Sequence, residues 1–372
     1  MEISQIDSTV DLINFYCEKD SNKNGMLEEG EVEGVSQYDR DGDGFLKPWE
    51  MMEAVNLQRS AQIFQDSVIE SFRHPSRQDI HIAMRTTLEE NADVLGITFR
   101  AGTDLIFYLG SDETEIMATL GGRTTIDEIR FQAGTSVTVG MDGTLREARL
   151  TGSAVVQETR FGDGTRLSFG GNGLLERAFL VNETKIKGVR YDEYNGVTFY
   201  ENGQVQEGEL DREEDPLIDG VRYNGGTYIM FYENGQVRFG YPAGNVRAYG
   251  HRFTALTDDG VRFYEDGSLQ LGGLVEDATL QDIELAKDTL LSFYPDGHIE
   301  VIYRAPDDVV TVHGATYSLA GSHCVSFYPN GQIRSGMLAA DATIDDQALS
   351  AYQRVCFDEA GHLTQCQPGD MD

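Results

Sequence analysis

The chain is short of proline, cysteine and positive charge, and each shortage narrows what it can be. Eight prolines against 41 glycines in 372 residues indicate frequent turns rather than a proline-rich disordered chain. Cys17, Cys324, Cys356 and Cys366 form no CxxC pair and no zinc spacing. Cys356 and Cys366 flank the last expected hairpin, where a disulfide and two buried thiols both remain open. No apolar run approaches the roughly 20 residues that cross a bilayer, so no membrane span is expected. The first 20 residues lack a basic start followed by an apolar stretch, which reads as no secretion signal. The seven histidines are scattered without ligand spacing. GxSxG, HExxH and phosphate-cradling glycine loops are all missing, so a non-enzymatic protein is expected. Lys plus Arg number 29 and Asp plus Glu number 63, leaving a formal charge of −34. That acidity reads as solubility or tolerance of salt. It also repels phosphate backbones, so nucleic acid is not an expected partner.

Two stretches near the start carry specific chemistry. Residues 20–31 read DSNKNGMLEEGE and residues 39–50 read DRDGDGFLKPWE. Each places oxygen-bearing side chains at positions 1, 3 and 5, glycine at 6 and glutamate at 12, a set suited to a hard cation held by six to eight oxygens at about 2.3–2.6 Å. In the first loop Asp20, Asn22, Asn24, Glu28 and Glu31 supply side-chain oxygens and Met26 its carbonyl. In the second, Asp39, Asp41, Asp43 and Glu50 do so, with the carbonyl of Phe45; Lys47 at position 9 leaves that place to water. The second loop has one more ligating carboxylate, so its site is expected to bind calcium more tightly. Leu27 and Leu46 occupy position 8 of each loop, where paired loops join through a short strand contact. These loops resemble EF-hands over roughly residues 8–62. The resemblance implies two Ca2+ sites in a small α-helical domain. Only Val32–Tyr38 separates the loops, so one short helix, with Val32, Val35 and Tyr38 as its apolar stripe, is expected to serve both. That economy argues against large-scale opening.

The rest of the chain repeats itself. FYENGQVQEGEL at 199–210 returns as FYENGQVRFGYP at 231–242 and FYEDGSLQLGGL at 263–274. Turn glycines at 143, 173, 203, 235, 267, 297, 331 and 361 recur every 30 to 34 residues. A second motif precedes each copy, as in IRFQAGTSVTV at 129–139 and VRYNGGTYIMF at 221–231. Each unit therefore reads as three strands: one alternating strand, a Gly-Thr turn, a strand ending in Phe-Tyr, an Asn-Gly or Asp-Gly turn, and a third strand. Every departure from 30 is even, which keeps side chains on their faces and favours antiparallel hairpins. A β-helix is the alternative. The phrase FYxNGxxxxG resembles bacterial MORN-like variant repeats over about 270 residues, which implies binding or scaffolding.

The expected protein is thus a mainly β repeat array of about nine stacked antiparallel hairpin units of 30–34 residues. Its expected domains are 1–62, the calcium pair; 63–90, a helical linker capping the first hairpin; and 91–372, the repeats. Within the repeats Phe should point inward and Tyr outward. Tyr200, Tyr232, Tyr264, Tyr294 and Tyr328 then form a row, either a glycan- or peptide-binding face or a packing ladder. The functional expectation is a calcium-binding scaffold with a protein or glycan partner. A calcium sensor recruiting a protein and a carbohydrate-binding or carbohydrate-active protein are the alternatives. Calcium loops stay filled outside cells, which tilts the expected location towards export or the cell surface.

Overall fold

The computed structural model describes residues 14–15, 18–21, 27–28, 30–32, 35, 39, 42–46, 68–73, 80–109, 114–193, 195–256 and 259–366. The chain divides into two compact units, Met1–Thr184 with Glu193–Gly203, and Lys185–Asp192 with Gln204–Asp372.

In the first unit a meander of long strands carries the fold. Val68–Arg73, Ile80–Thr87, Asp104–Leu109, Thr114–Thr119, Ser136–Gly140, Leu145–Arg149, Arg166–Phe169, Leu175–Phe179 and Gly196–Phe199 each pair antiparallel with the next. Because side chains alternate along a strand, one cross-strand row is apolar throughout: Leu105, Ala118, Val137, Ala148, Leu167 and Ala178 are all buried. Small hairpins, such as Thr124–Ile126 with Ile129–Phe131 and Ala154–Val156 with Thr159–Phe161, alternate with the long strands along the chain. They bury Ile126, Phe131, Val156 and Phe161, and the Phe161 ring meets Phe199 edge-on at 6.4 Å. Burying each such side chain contributes about 1.5–3 kcal/mol. A lone hairpin could not do this, but neighbours stacked along a sheet can.

The second unit repeats the scheme. Long strands run from Val205–Glu209 through Tyr228–Phe231, Val237–Gly240, Val261–Phe263, Leu269–Leu274, Leu290–Phe293, Ile299–Arg304, Val325–Phe327 and Ile333–Leu338 to Arg354–Phe357 and Leu363–Thr364. In the two longer copies, His251–Thr254 and Ala315–Ser318 also pair directly with Leu269–Leu274 and Ile333–Leu338. In two copies the fifth residue after the turn glycine is sized to the tyrosine packed against it. A Cβ on Gly240 would lie 2.8 Å from the Tyr223 ring, and one on Gly336 would lie 2.6 Å from the Tyr317 ring. A disulfide joins Cys356 to Cys366 with Cα atoms 5.2 Å apart, while Cys324 is a free, half-buried thiol. Of the two readings open for Cys356 and Cys366, the cross-link is the one found.

Several expectations change. Among the described residues every strand pairing is antiparallel, which removes the β-helix alternative. Each repeat holds four strands rather than three, because the alternating stretch before each Gly-Thr turn is itself a hairpin. Its turn has both central residues at positive φ, as at Asp127 and Glu128 (47° and 64°) and Gln281 and Asp282 (52° and 62°). That is the mirror-image turn whose twist matches paired strands. The Asn-Gly motif instead builds a longer turn. Tyr232 accepts from Gly235 N–H at 2.9 Å, and its own N–H donates to Gln236 at 2.8 Å. Gly235 stands at φ +85°, and beyond the turn the register shifts by one residue, Phe231 facing Val237 and Met230 facing Phe239. The helical linker of 63–90 is also corrected, since Val68–Arg73 and Ile80–Thr87 are strands. Alternation in IHIAMRTT, rather than a helical period, decides that segment once a neighbouring strand is there to pair with it. Of the helical domain in 1–62, Asn14, Phe15, Glu18, Lys19 and Val35 are helical, and most of its remainder lies outside the described residues.

Candidate metal centre and repeat surface

Asp20, Glu28, Glu31, Asp39, Asp43 and Phe45 lie among the described residues; Asn22, Asn24, Met26, Asp41 and Glu50 lie outside them. Leu27 and Leu46 pair antiparallel, with N–H to O distances of 3.1 and 2.7 Å, and both are fully buried. The paired leucines bring the two loops side by side, as their position-8 placement anticipates. Asp39 accepts from Gly42 N–H at 2.7 Å through one carboxylate oxygen and from Gly44 N–H at 2.8 Å through the other. Asp43 accepts from Phe45 N–H at 3.0 Å. In the first loop, Glu31 reaches back to Ser21, whose N–H and hydroxyl donate to it at 2.8 and 2.7 Å, and Glu28 N–H donates to its other oxygen at 3.2 Å. Asp20 is buried.

The donors present are carboxylate and carbonyl oxygens, with no thiolate or imidazole, so their chemistry fits a hard cation such as calcium. Each carboxylate oxygen that accepts an N–H keeps a further lone pair for a metal. Among the described residues no group of three or more His, Cys, Asp or Glu is gathered closely enough to hold a metal. Asp41 and Glu50 of the second loop are not in that set. The loop segment is tied to the repeats by Asn14, whose side-chain N–H donates to the Asp93 carbonyl at 2.8 Å in the first small hairpin.

The tyrosine row is used internally. The hydroxyls of Tyr232, Tyr264, Tyr294 and Tyr328 donate to the carbonyls of Phe263, Phe293, Phe327 and Phe357 at 2.7–2.9 Å. Each links one repeat to the next, while the partner phenylalanines are buried. Burial, followed by the Glu300 carboxylate, holds the Tyr264 and Tyr294 phenols above their usual pKa. Asn234 and Asn330 add parallel links to the carbonyls of Glu265 and Glu359. Small-hairpin turns are stitched down as well. Asp127 accepts from Leu145 N–H at 2.8 Å, Gln281 from Ile299 N–H at 3.2 Å, and Asp345 from Leu363 N–H at 2.7 Å.

Residues 224–239 match the MORN repeat variant family. This MORN-like copy covers the Gly-Thr turn, the Tyr228–Phe231 strand, the Asn-Gly turn and most of the strand that follows. The match and the hairpin array together support MORN-like repeats. No curated protein matches the chain. Among the described residues no helix is long and apolar enough to cross a membrane.

Sequence reasoning did not anticipate a groove of about 480 Å³ in the second unit, between Ala278–Leu285 and Val309–Gly314. Asp282, Glu284, Asp307 and His313 rim it, and Leu285 and Val310 lie in its floor. The residues come from two small hairpins of successive repeats, whose strand assignment was itself missed.

Proposed function

We propose that the protein is a calcium-binding, non-enzymatic scaffold. In this reading two Ca2+ ions held by the N-terminal loops clamp a MORN-like array that binds a protein partner. The observation that carries the reading is the reciprocal Leu27–Leu46 pairing, which sets two oxygen-donor loops side by side. The Asn14–Asp93 hydrogen bond supports a structural role, since it ties the calcium segment to the first repeat. Calcium would be held by Asp20, Asn22, Asn24, Glu28, Glu31 and the Met26 carbonyl in one loop. Asp39, Asp41, Asp43, Glu50 and the Phe45 carbonyl would hold it in the other. Bound there, the ion neutralises the clustered carboxylates and fixes each loop. The Cys356–Cys366 disulfide favours an oxidising compartment, in keeping with an exported or surface protein.

Calorimetric titration with calcium tests the proposal. Two binding events are expected, the tighter abolished by Asp39→Ala and the weaker by Asp20→Ala. No heat at millimolar free calcium would end it. The sensor alternative predicts a large rise in hydrophobic-dye fluorescence on adding calcium, whereas a structural clamp predicts little.

A further inference from the structure

The open face of the first unit's sheet bears arginines in an arrangement that the fold itself does not favour. Register sets Arg149, Arg166 and Phe179 side by side in one cross-strand row, and Glu147, Ser168 and Arg177 in the next. Their apolar neighbours Ala148, Leu167 and Ala178 point the other way, into the core. Arg149 and Arg166 stand directly opposite each other, and like charges so placed destabilise a sheet. Glu147 relieves only one of them, accepting twice from Arg166 at 2.8 and 3.0 Å. The exposed Arg149 side chain has no ion pair or hydrogen bond among the described residues. Arg177 lies over the Phe179 ring, 5.6 Å from its centroid. Phe179 is 40% exposed, and Val181, two residues on, is 48% exposed. Gly196 pairs with Phe179 and the ring lies against it, since a Cβ there would stand 3.3 Å from Phe179 Cε1.

Solubility does not explain this patch in a chain whose net charge is already −34. We propose that this face docks an acidic segment of a partner protein, its carboxylates on Arg149 and Arg166 and an apolar side chain against Phe179 and Val181. Arginine offers a planar fork that matches a carboxylate. Arginine beside an exposed aromatic ring is also the composition found at the energetic centres of protein interfaces. A long polyanion would meet the same arginines but would be repelled by the acidic remainder of the surface. The inference rests on the reading of the array as a binding module, and it supplies that module's partner chemistry.

The test is fluorescence anisotropy on the full, calcium-loaded chain with a labelled peptide of alternating glutamate and leucine. Saturable binding is expected, whereas any binding of a lysine-leucine peptide to the acidic remainder of the surface should be unchanged by the arginine substitutions. Loss of two charge-assisted contacts in Arg149→Gln/Arg166→Gln should weaken it at least about tenfold. Phe179→Ala should weaken it further. The thermal melt of the arginine variant should match or exceed wild type, because it removes a like-charge pair, so lost binding could not be ascribed to unfolding. Absence of peptide binding, or equal binding by the arginine variant, would overturn the proposal. So would tighter binding of a heparin fragment or single-stranded DNA than of the peptide. Loss of calcium binding with peptide binding intact would remove the calcium reading and leave this surface standing.

Discussion

Substituting Gly336 by alanine probes the size matching that holds the small hairpins to the main sheet. Its new Cβ would lie 2.6 Å from Cδ1 and 3.1 Å from Cε1 of Tyr317. Carbon atoms in contact sit about 3.5–4.0 Å apart, so the ring must retreat by roughly 1 Å. It has little room to do so, because Tyr317 is buried. Overpacking of this kind costs about 1–3 kcal/mol. Backbone strain does not enter, as Gly336 is not at positive φ. Removing glycine's freedom in the unfolded chain returns about 0.4–1 kcal/mol, leaving a net loss of roughly 1–2 kcal/mol. Two repeats place alanine at this position against phenylalanine, Ala148 with Phe131 and Ala178 with Phe161, while a third keeps glycine, Gly272, against Phe253. One copy sets Ile302 in the glycine's place and Leu285 in the tyrosine's. Tyr317→Leu alone should cost about 2–4 kcal/mol as a large-to-small core change. With both substitutions, the alanine methyl occupies space vacated by the ring. Urea unfolding of the wild type, both single variants and the double variant should therefore show a double that is about 1–2 kcal/mol more stable than additivity predicts. Additivity within about 0.5 kcal/mol would refute the claim that close approach is what requires glycine.

Three further outcomes follow from the same geometry. Tyr264→Phe removes the hydroxyl that donates to the Phe293 carbonyl and should cost about 1 kcal/mol in a chemical melt; no loss would mean the ladder is incidental. Reducing the Cys356–Cys366 bond, which closes a short loop, should lower stability by up to about 3 kcal/mol and raise amide exchange mainly in Arg354–Thr364. The Cys356→Ser/Cys366→Ser variant should reproduce the effect and abolish further response to reductant. Burial pushes the Tyr317 phenol up to about 12 and holds Tyr191 and Tyr223 above the usual range as well. A raised folded pKa means that the folded protein keeps these protons while the unfolded chain loses them near pH 10. Stability is therefore fully present below about pH 10 and falls as pH rises towards 12. Because other tyrosines such as Tyr352 are exposed, the readout is the difference in tyrosinate absorbance between wild type and Tyr317→Phe. It should appear only with unfolding, and a difference growing gradually in the folded protein would contradict the burial.

The repeat, its antiparallel hairpins and its inward phenylalanines were legible because alternation and period are properties of the chain itself. The small hairpin was not. Its strands are as short as Ala154–Val156, and turn pairs such as Gln157-Glu158 lack the glycine or asparagine that usually marks positive φ. What makes such residues acceptable is tertiary: Asp127, Gln281 and Asp345 use their side chains to satisfy N–H groups 18 residues further on. The tyrosine row allows both a binding face and, the better fit to its spacing, a packing ladder, and only the neighbouring carbonyls decide between them. At the two N-terminal acidic loops the oxygen-donor pattern and the Leu27–Leu46 contact were both visible in sequence. The Arg149–Arg166 juxtaposition depends on register, which no pattern in either strand announces.

Hydrogen exchange of the full chain, with saturating calcium and with a chelator, tests the central claim most directly. Calcium at about 100 times its dissociation constant should stabilise the folded loops by about 2.7 kcal/mol per site. Protection should rise at the Leu27 and Leu46 amides and spread, through Asn14 and Asp93, to the Ala92–Phe99 hairpin. Identical exchange in both conditions would contradict a calcium clamp on the array.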